Sequence, residues 1–420
     1  MDVMEGVEYH GKPTLETILS RYPIRSRLNR FLSTRDILRL SETSWSMRRD
    51  LMQNEWNINN KLRPFLNQPL QFRSKLGQCD ALISGSFAMQ FFDRVVWRES
   101  DLDIMVADGE QDGLAEFLTA IEGYTMTEEK DSPTYNGMLL NPYIIKCRTY
   151  MYRVTGDKDL DGKKTADSKV QLIMTSDTPL EAILSSFYTT AIVNFITWNK
   201  AYSIFPRATF LDYETAPLKS VNTHYGRLHS KYSKRGWRMR TEPIYNVALQ
   251  FCPAYGKHDT RRIGGKDTWI IRLDTTSVGA SPRPDFVIEY SQFNLRSPDG
   301  EMLATPEDWY DLSGVRQSFR CAEIRAVCFR SPSLKHIYVM PKDPPARYHW
   351  VDIGDILAKN TLGQLTKLGR RDVNKILDAE QSTHIVPWKL KFDPPEGWDY
   401  HDDLIPRYFK QKEAGNRADA

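Results

Sequence analysis

Ile83-Ser-Gly-Ser-Phe-Ala-Met-Gln-Phe-Phe-Asp-Arg-Val-Val-Trp-Arg-Glu-Ser-Asp-Leu-Asp-Ile-Met-Val106 is the stretch that decides the fold. It reads as a short strand, a Gly-Ser turn, a helix and a second strand. Gly85 lets the backbone turn sharply and approach a ligand. Ser86, at a helix N-terminus, adds a hydroxyl to amide donors that suit a triphosphate. Asp101 and Asp103 stand two apart on a strand, so both carboxylates project from one face while Leu102 and Ile104 point into the core. Paired hard carboxylates beside a phosphate cradle suit Mg²⁺, which can neutralise a leaving pyrophosphate and activate an attacking hydroxyl.

Outward from this unit, short strands alternate with helices. Ala81 to Ser84, Leu102 to Val106, Ile144 to Val154 and Lys169 to Met174 read as strands, and Gly113 to Ile121 as a helix. Leu180 to Trp198 also reads as a helix. It starts at Thr178-Pro179, a cap followed by proline at the first helical position, and is apolar on most sides, as a helix buried against a sheet would be. Beyond Pro206 strands are expected at Trp269 to Leu273, Asp285 to Tyr290, Cys321 to Phe329 and His336 to Met340. A helical segment, Ile353 to Asp378, then precedes a stretch rich in proline and aromatics (Pro387, Trp388, Pro394, Pro395, Trp398, Pro406), and the last ten residues read as a frayed polar tail.

The Gly-Ser turn followed after a helix by an apolar-flanked Asp-x-Asp resembles the nucleotidyltransferase superfamily of DNA polymerase beta, poly(A) polymerases and antibiotic adenylyltransferases. The match covers roughly residues 79 to 200. The resemblance implies that Gly85 and Ser86 form the triphosphate-binding turn and that Asp101 and Asp103 are the catalytic, metal-binding pair. The family places a third acid on a neighbouring strand, where it completes the metal site and receives the acceptor's proton. Here that strand reads Lys169-Val-Gln-Leu-Ile-Met174, with Gln171 where the acid is expected. A neutral amide supplies neither charge for a second metal nor a base. Asp167, Asp161 or Asp159 in the preceding polar loop are the alternative sources of a third carboxylate.

Toward the N-terminus, residues 13 to 52 read as short helices, with Leu15, Ile18 and Leu19 on one stripe and Ile37, Leu38, Leu40, Trp45 and Leu51 on another. Ser33 or Thr34 is the expected cap. The run from Phe31 to Leu51 resembles the second half of an F-box, which implies a Skp-type adaptor as partner and an exposed apolar patch to receive it. A helical hairpin packed on the next domain is the alternative. The expected architecture is α+β: a helical F-box-like segment (1–55), a mixed-sheet nucleotidyltransferase core (79–205) and an accessory α+β region (206–420).

The bulk properties narrow the function less. The chain has 420 residues, long enough for several domains, and a formal net charge of +3 from 57 basic and 54 acidic side chains. Any contact with nucleic acid must therefore come from local clustering. The best cluster is His224 to Arg240, where Lys and Arg alternate with Tyr225, Tyr232 and Trp237, a mixture able to contact phosphates and stack on bases. Its alternative is a solvated basic loop anchored by aromatics. Arg261 to Thr268 lacks the spacing of a phosphate loop and reads as a hairpin turn. Five scattered cysteines without a Cys-x-x-Cys pair argue against disulfides or structural zinc and fit a reducing compartment. No run is apolar enough to span a bilayer and the N-terminus carries no apolar leader, so an intracellular, cytoplasmic or nuclear protein without a membrane partner is expected.

The expected function is thus a nucleotidyltransferase-fold protein that binds a nucleoside triphosphate and Mg²⁺, with transfer weak or lost through Gln171. The alternative is a non-catalytic F-box-type adaptor that recruits a partner to a ubiquitin ligase.

Overall fold

The computed structural model describes residues 17–18, 21–132, 134–135, 138–139, 141–153, 167–219, 223–240, 260–296, 322–367 and 394–418. The chain is α+β, organised on a mixed eight-stranded sheet. Its strands, in chain order, are β1 (Leu82–Ser84), β2 (Leu102–Ala107), β3 (Thr125–Asp131), a small ladder of β4 (Thr134–Tyr135) and β5 (Met138–Leu139), β6 (Ile144–Tyr152), β7 (Ser168–Thr175), β8 (Asn194–Ile196), β9 (Lys200–Ser203), a second small ladder of β10 (Glu214–Thr215) and β11 (Arg238–Met239), β12 (Thr260–Arg262), β13 (Trp269–Arg272), β14 (Gln292–Arg296), β15 (Glu323–Phe329) and β16 (Tyr338–Pro341). The large sheet runs β13-β9-β8-β1-β2-β7-β6-β3, and a four-stranded sheet runs β12-β14-β15-β16. Within the large sheet β1 and β2 are antiparallel whereas β2 and β7 are parallel.

Strand alternation sorts the side chains into two cores. Ile83, Leu102, Ile104, Val106, Val170, Leu172 and Met174 point to one face and pack with Phe72, Phe87, Phe91, Phe92, Leu114 and Phe117 from the helices. Leu82, Met105, Phe195 and Tyr202 point to the other, toward Leu180, Ile183 and Leu184 and the second sheet's Phe293, Leu295, Ile324 and Val339. A third core gathers Trp350, Ile353 and Leu357 with Ile405 and Phe409.

Of the N-terminal helices, Tyr22–Asn29, Thr34–Ser41 and Trp45–Glu55, the second and third join the first core, whereas Ile24 and Leu28 of the first are exposed. Ser33 caps the second of them in a reciprocal capping box with Asp36, whose carboxyl these hydrogen bonds hold below its usual range. Ile37 and Leu51 are buried, and Leu38 and Leu40 pack against the core. Trp56 donates from Nε1 to the Phe92 carbonyl at 3.2 Å, and Arg94 pairs with Glu55 at 2.8 Å. Of the expected patch Trp45 is left in solvent, as is the neighbouring Phe31. Leu15 and Leu19 lie outside the described residues.

Several elements differ from the sequence expectation. The Leu180 to Trp198 run is not one helix: Pro179–Ser186 is helical, Thr190–Ile192 a single 3-10 turn, and Asn194–Ile196 is β8. An apolar run without polar interruption fits a buried strand as well as a buried helix, and the Thr-rich, β-branched second half favours the strand. Asp285–Glu289 is a short helix rather than a strand, entered through Pro284 with Asp285 in its first turn. Arg261 to Thr268 does turn, yet its flanking strands belong to different sheets, so it is a crossover and not a hairpin. Buried Arg261 fixes this crossover by donating to the Ile204 and Asp267 carbonyls at 2.6 and 2.9 Å. The expected helix near Ile353 spans Tyr348–Leu365, and 368–393, with Pro387 and Trp388, lie outside the described residues. The C-terminal stretch forms a helix, Leu404–Ala418, anchored by Ile405 and Phe409. Among the described residues no helix is long and apolar enough to cross a membrane.

Candidate functional site

β1 ends at Ser84, whose hydroxyl donates to the Asn194 carbonyl at 2.8 Å, and the chain turns at once into the helix Gly85–Asp93. Gly85 has φ +65°, and a Cβ added there would stand 2.3 Å from Oδ2 of Asp103. The glycine is thus required twice, by its left-handed backbone and by the carboxylate lying against it. Asp103 is the Cα partner of Ser84 on one side and of Gln171 on the other, and Gln171 is in turn opposite Thr149. One row of side chains therefore crosses four strands at the mouth of the turn.

Burial pushes the Asp103 carboxyl up to about 7, and nearby Asp101 adds to the rise; Lys169 and Lys231 oppose it. Asp101 is ion-paired to Lys169, with Nζ 2.5 Å from Oδ2. The two acids thus share one side of the sheet and one cation, as the strand period requires. Gln171 donates from Nε2 to Thr149 Oγ1 at 3.4 Å and makes a longer contact to Cys147 Sγ at 3.7 Å. Burial and Asp103 together push the Cys147 thiol up.

Ser86 lies in the same turn, but its hydroxyl is engaged with Ser100 Oγ at 2.8 Å. Gln90 fastens that link, donating to Ser100 Oγ at 2.6 Å and accepting from the Trp97 amide at 2.6 Å. The loop leading to Asp101 is thereby tied back to the helix that follows Gly85. Of the loop acids considered as substitutes for the third carboxylate, Asp167 is exposed just before β7, and Asp159 and Asp161 lie outside the described residues.

The segment 224–240 packs on Trp97, in the loop that leads to Asp101. The charge of Lys231, on its helix Thr223–Ser233, acts on Asp103, and Arg235 lies over the Trp97 ring at 3.9 Å. Tyr232 and Trp237, expected as a stacking surface for bases, are buried instead; Trp237 Nε1 donates to the Thr209 carbonyl at 2.8 Å. Their role is to anchor the segment, because their rings pack on Trp97. His229 is buried edge-on against Tyr188 at 5.2 Å, and burial lowers its pKa. Sequence reasoning missed Lys169, Lys231 and Trp97. Lys169 could have been found, since it is two residues before Gln171 and so shares its face; the other two depend on tertiary packing.

The residues present do not fit a two-metal centre. An ammonium occupies one side of Asp101, and the side chain opposite Asp103 is an amide rather than a third carboxylate. A different group, Asp177, Glu181 and Cys328, has ligand atoms close enough to share an ion. It is internally satisfied: Arg330 pairs with Asp177, Cys328 Sγ donates to Glu181 at 3.1 Å, and burial pushes that thiol well up, away from the thiolate a metal needs. No protein-family model matches the chain, and neither a curated protein nor a solved structure matches it.

Proposed function

We propose that Gly85, Ser86, Asp101 and Asp103 belong to a nucleotidyltransferase-fold site that binds a nucleoside triphosphate and has lost, or nearly lost, nucleotide transfer. The observation that carries this reading is Gln171 standing directly opposite Asp103 in the parallel ladder. Gly85 lets the polyphosphate approach the backbone, and the amides at the start of the helix Gly85–Asp93 supply donors. An acceptor hydroxyl entering beside Asp103 would find an amide where a base is needed, and an amide cannot take its proton.

The test is titration with each nucleoside triphosphate, followed by assay of labelled nucleotide transfer to RNA, DNA and protein acceptors. Wild type is expected to bind nucleotide and transfer at background. Gln171→Asp is expected to raise Mg²⁺ affinity about tenfold, as one more adjacent carboxylate should. Robust wild-type transfer that disappears in Asp101→Asn would sink the inactive reading, and failure to bind any nucleotide would sink the site.

A second reading, an F-box-type adaptor, draws on Phe31 and Trp45, which are 86% and 83% exposed. It expects retention of a Skp-type adaptor by the full chain and at least a tenfold weakening in Trp45→Ala, about the loss of one well-buried anchor. Absence of any complex between purified components removes this reading.

A further inference from the structure

Lys169 stands beside Asp101 on the face of the sheet that carries the acids. Running the parallel ladder back from the Asp103–Gln171 pair sets Lys169 beside Asp101, so the strand register, rather than a chance rotamer, brings the two together. Fully buried Val170 and Leu172 hold the opposite face of β7 in the core, which commits Lys169 and Gln171 to the face of the acids. The ammonium lies 2.5 Å from Asp101 Oδ2 with both side chains about one-third exposed (35% and 30%). The positive charge of a second lysine, Lys231 on the helix Thr223–Ser233, also acts on Asp103. Two acids therefore feel the charge of two lysines, one of them in direct contact, and the side chain opposite Asp103 is neutral. A divalent ion entering here would meet a fixed positive charge before it had a third carboxylate to hold it.

We propose that Lys169, assisted by Lys231, is the built-in counter-ion of Asp101 and Asp103, and that a nucleoside triphosphate binds this site through its polyphosphate without a divalent metal. The ligand part rests on the nucleotide-site reading above; the charge arrangement does not. An ammonium carries three donors, so Lys169 can keep Asp101 and still offer hydrogen bonds to phosphate oxygens. The lysines would then do together what a bridging metal does elsewhere, joining carboxylates and phosphates of the same sign.

The experiment has two arms on the full chain. In the first, Mn²⁺ alone is titrated and the free ion is followed by electron paramagnetic resonance. Wild type and Lys169→Arg are expected to leave Mn²⁺ free. Lys169→Met is expected to bind it at least about tenfold more tightly, equivalent to about 1.4 kcal/mol, and the gain should vanish when Asp101→Asn is added. Lys169→Gln repeats the test should the methionine variant fail to fold, which far-UV circular dichroism reads. In the second, ATP, GTP, CTP and UTP are titrated calorimetrically in Mg²⁺ and in EDTA. Wild type should bind equally in both, and Lys169→Met about tenfold more weakly in EDTA. Stoichiometric Mn²⁺ binding by wild type that Lys169→Met leaves unchanged, or nucleotide binding that requires Mg²⁺, overturns the proposal. If no nucleotide binds in either buffer, the triphosphate reading and metal-free binding both fall, and the Mn²⁺ titrations alone decide whether Lys169 is the counter-ion.

Discussion

Trp56→Ala is expected to destabilise the whole chain by about 3–5 kcal/mol, the usual cost of truncating a buried aromatic. Trp56 is 3% exposed, its Nε1 donates to the Phe92 carbonyl, and its ring meets Trp269 edge-on at 5.4 Å. Phe92 in turn packs on Trp269 at 5.1 Å. The indole therefore joins three parts: the N-terminal helices, the helix that opens at Gly85, and edge strand β13. The expected readout is a single urea transition shifted to lower denaturant, the same by circular dichroism and by fluorescence. Were the N-terminal helices a separable adaptor module, the variant would instead melt them alone and leave the transition of the sheet where it was.

Asp93→Asn should remove the pH dependence contributed by one carboxyl. Asp93 is buried, and burial pushes its pKa from 3.8 up to about 6, against the opposing hydrogen bonds of Tyr213 and Thr34 and the charge of Arg94. The folded chain therefore holds a proton there across a window in which the unfolded chain has released it. Stability from the neutral form is fully present below pH 3.8 and is lost as pH rises through about 6. A shift of about two units corresponds to roughly 3 kcal/mol. Asparagine keeps an acceptor for the Tyr213 hydroxyl, 3.0 Å away in wild type, and has no charge to bury. The variant should match wild type in acid and exceed it by about 2–3 kcal/mol above the window. Urea unfolding across the window measures this; parallel curves for the two proteins would show that Asp93 is ionised in the folded state at no cost.

The residues around Gly85 were legible because two strong local rules coincide there. A glycine between a strand and a helix, and acids alternating with aliphatics, leave little freedom, and strand, turn, helix and strand all stand within a residue of expectation. Gln171 was legible for the same reason, since the period of β7 put it on the acids' side. Leu180 to Trp198 was not, because uniform apolarity removes the periodic signal that separates helix from strand. The segment 224–240 was misleading in a different way. Its aromatics resemble a surface for bases in one dimension, and only the packing of Tyr232 and Trp237 on Trp97 places them inside. Lys231 belongs to the site solely through that packing.

The pairing of β13 with β9 bears on how the protein is made. Tyr202 and its neighbours on β9 are bonded to Trp269–Arg272, which follow their partners by 66 to 72 residues. At a ribosomal rate of about 5–20 residues per second, this edge leaves the exit tunnel roughly 3–14 s before its covering strand. During that interval the nascent chain presents an unpaired apolar edge, the template that other chains extend. The half-made protein therefore carries an aggregation-prone edge that is covered only once Trp269 docks against Trp56 and Phe92.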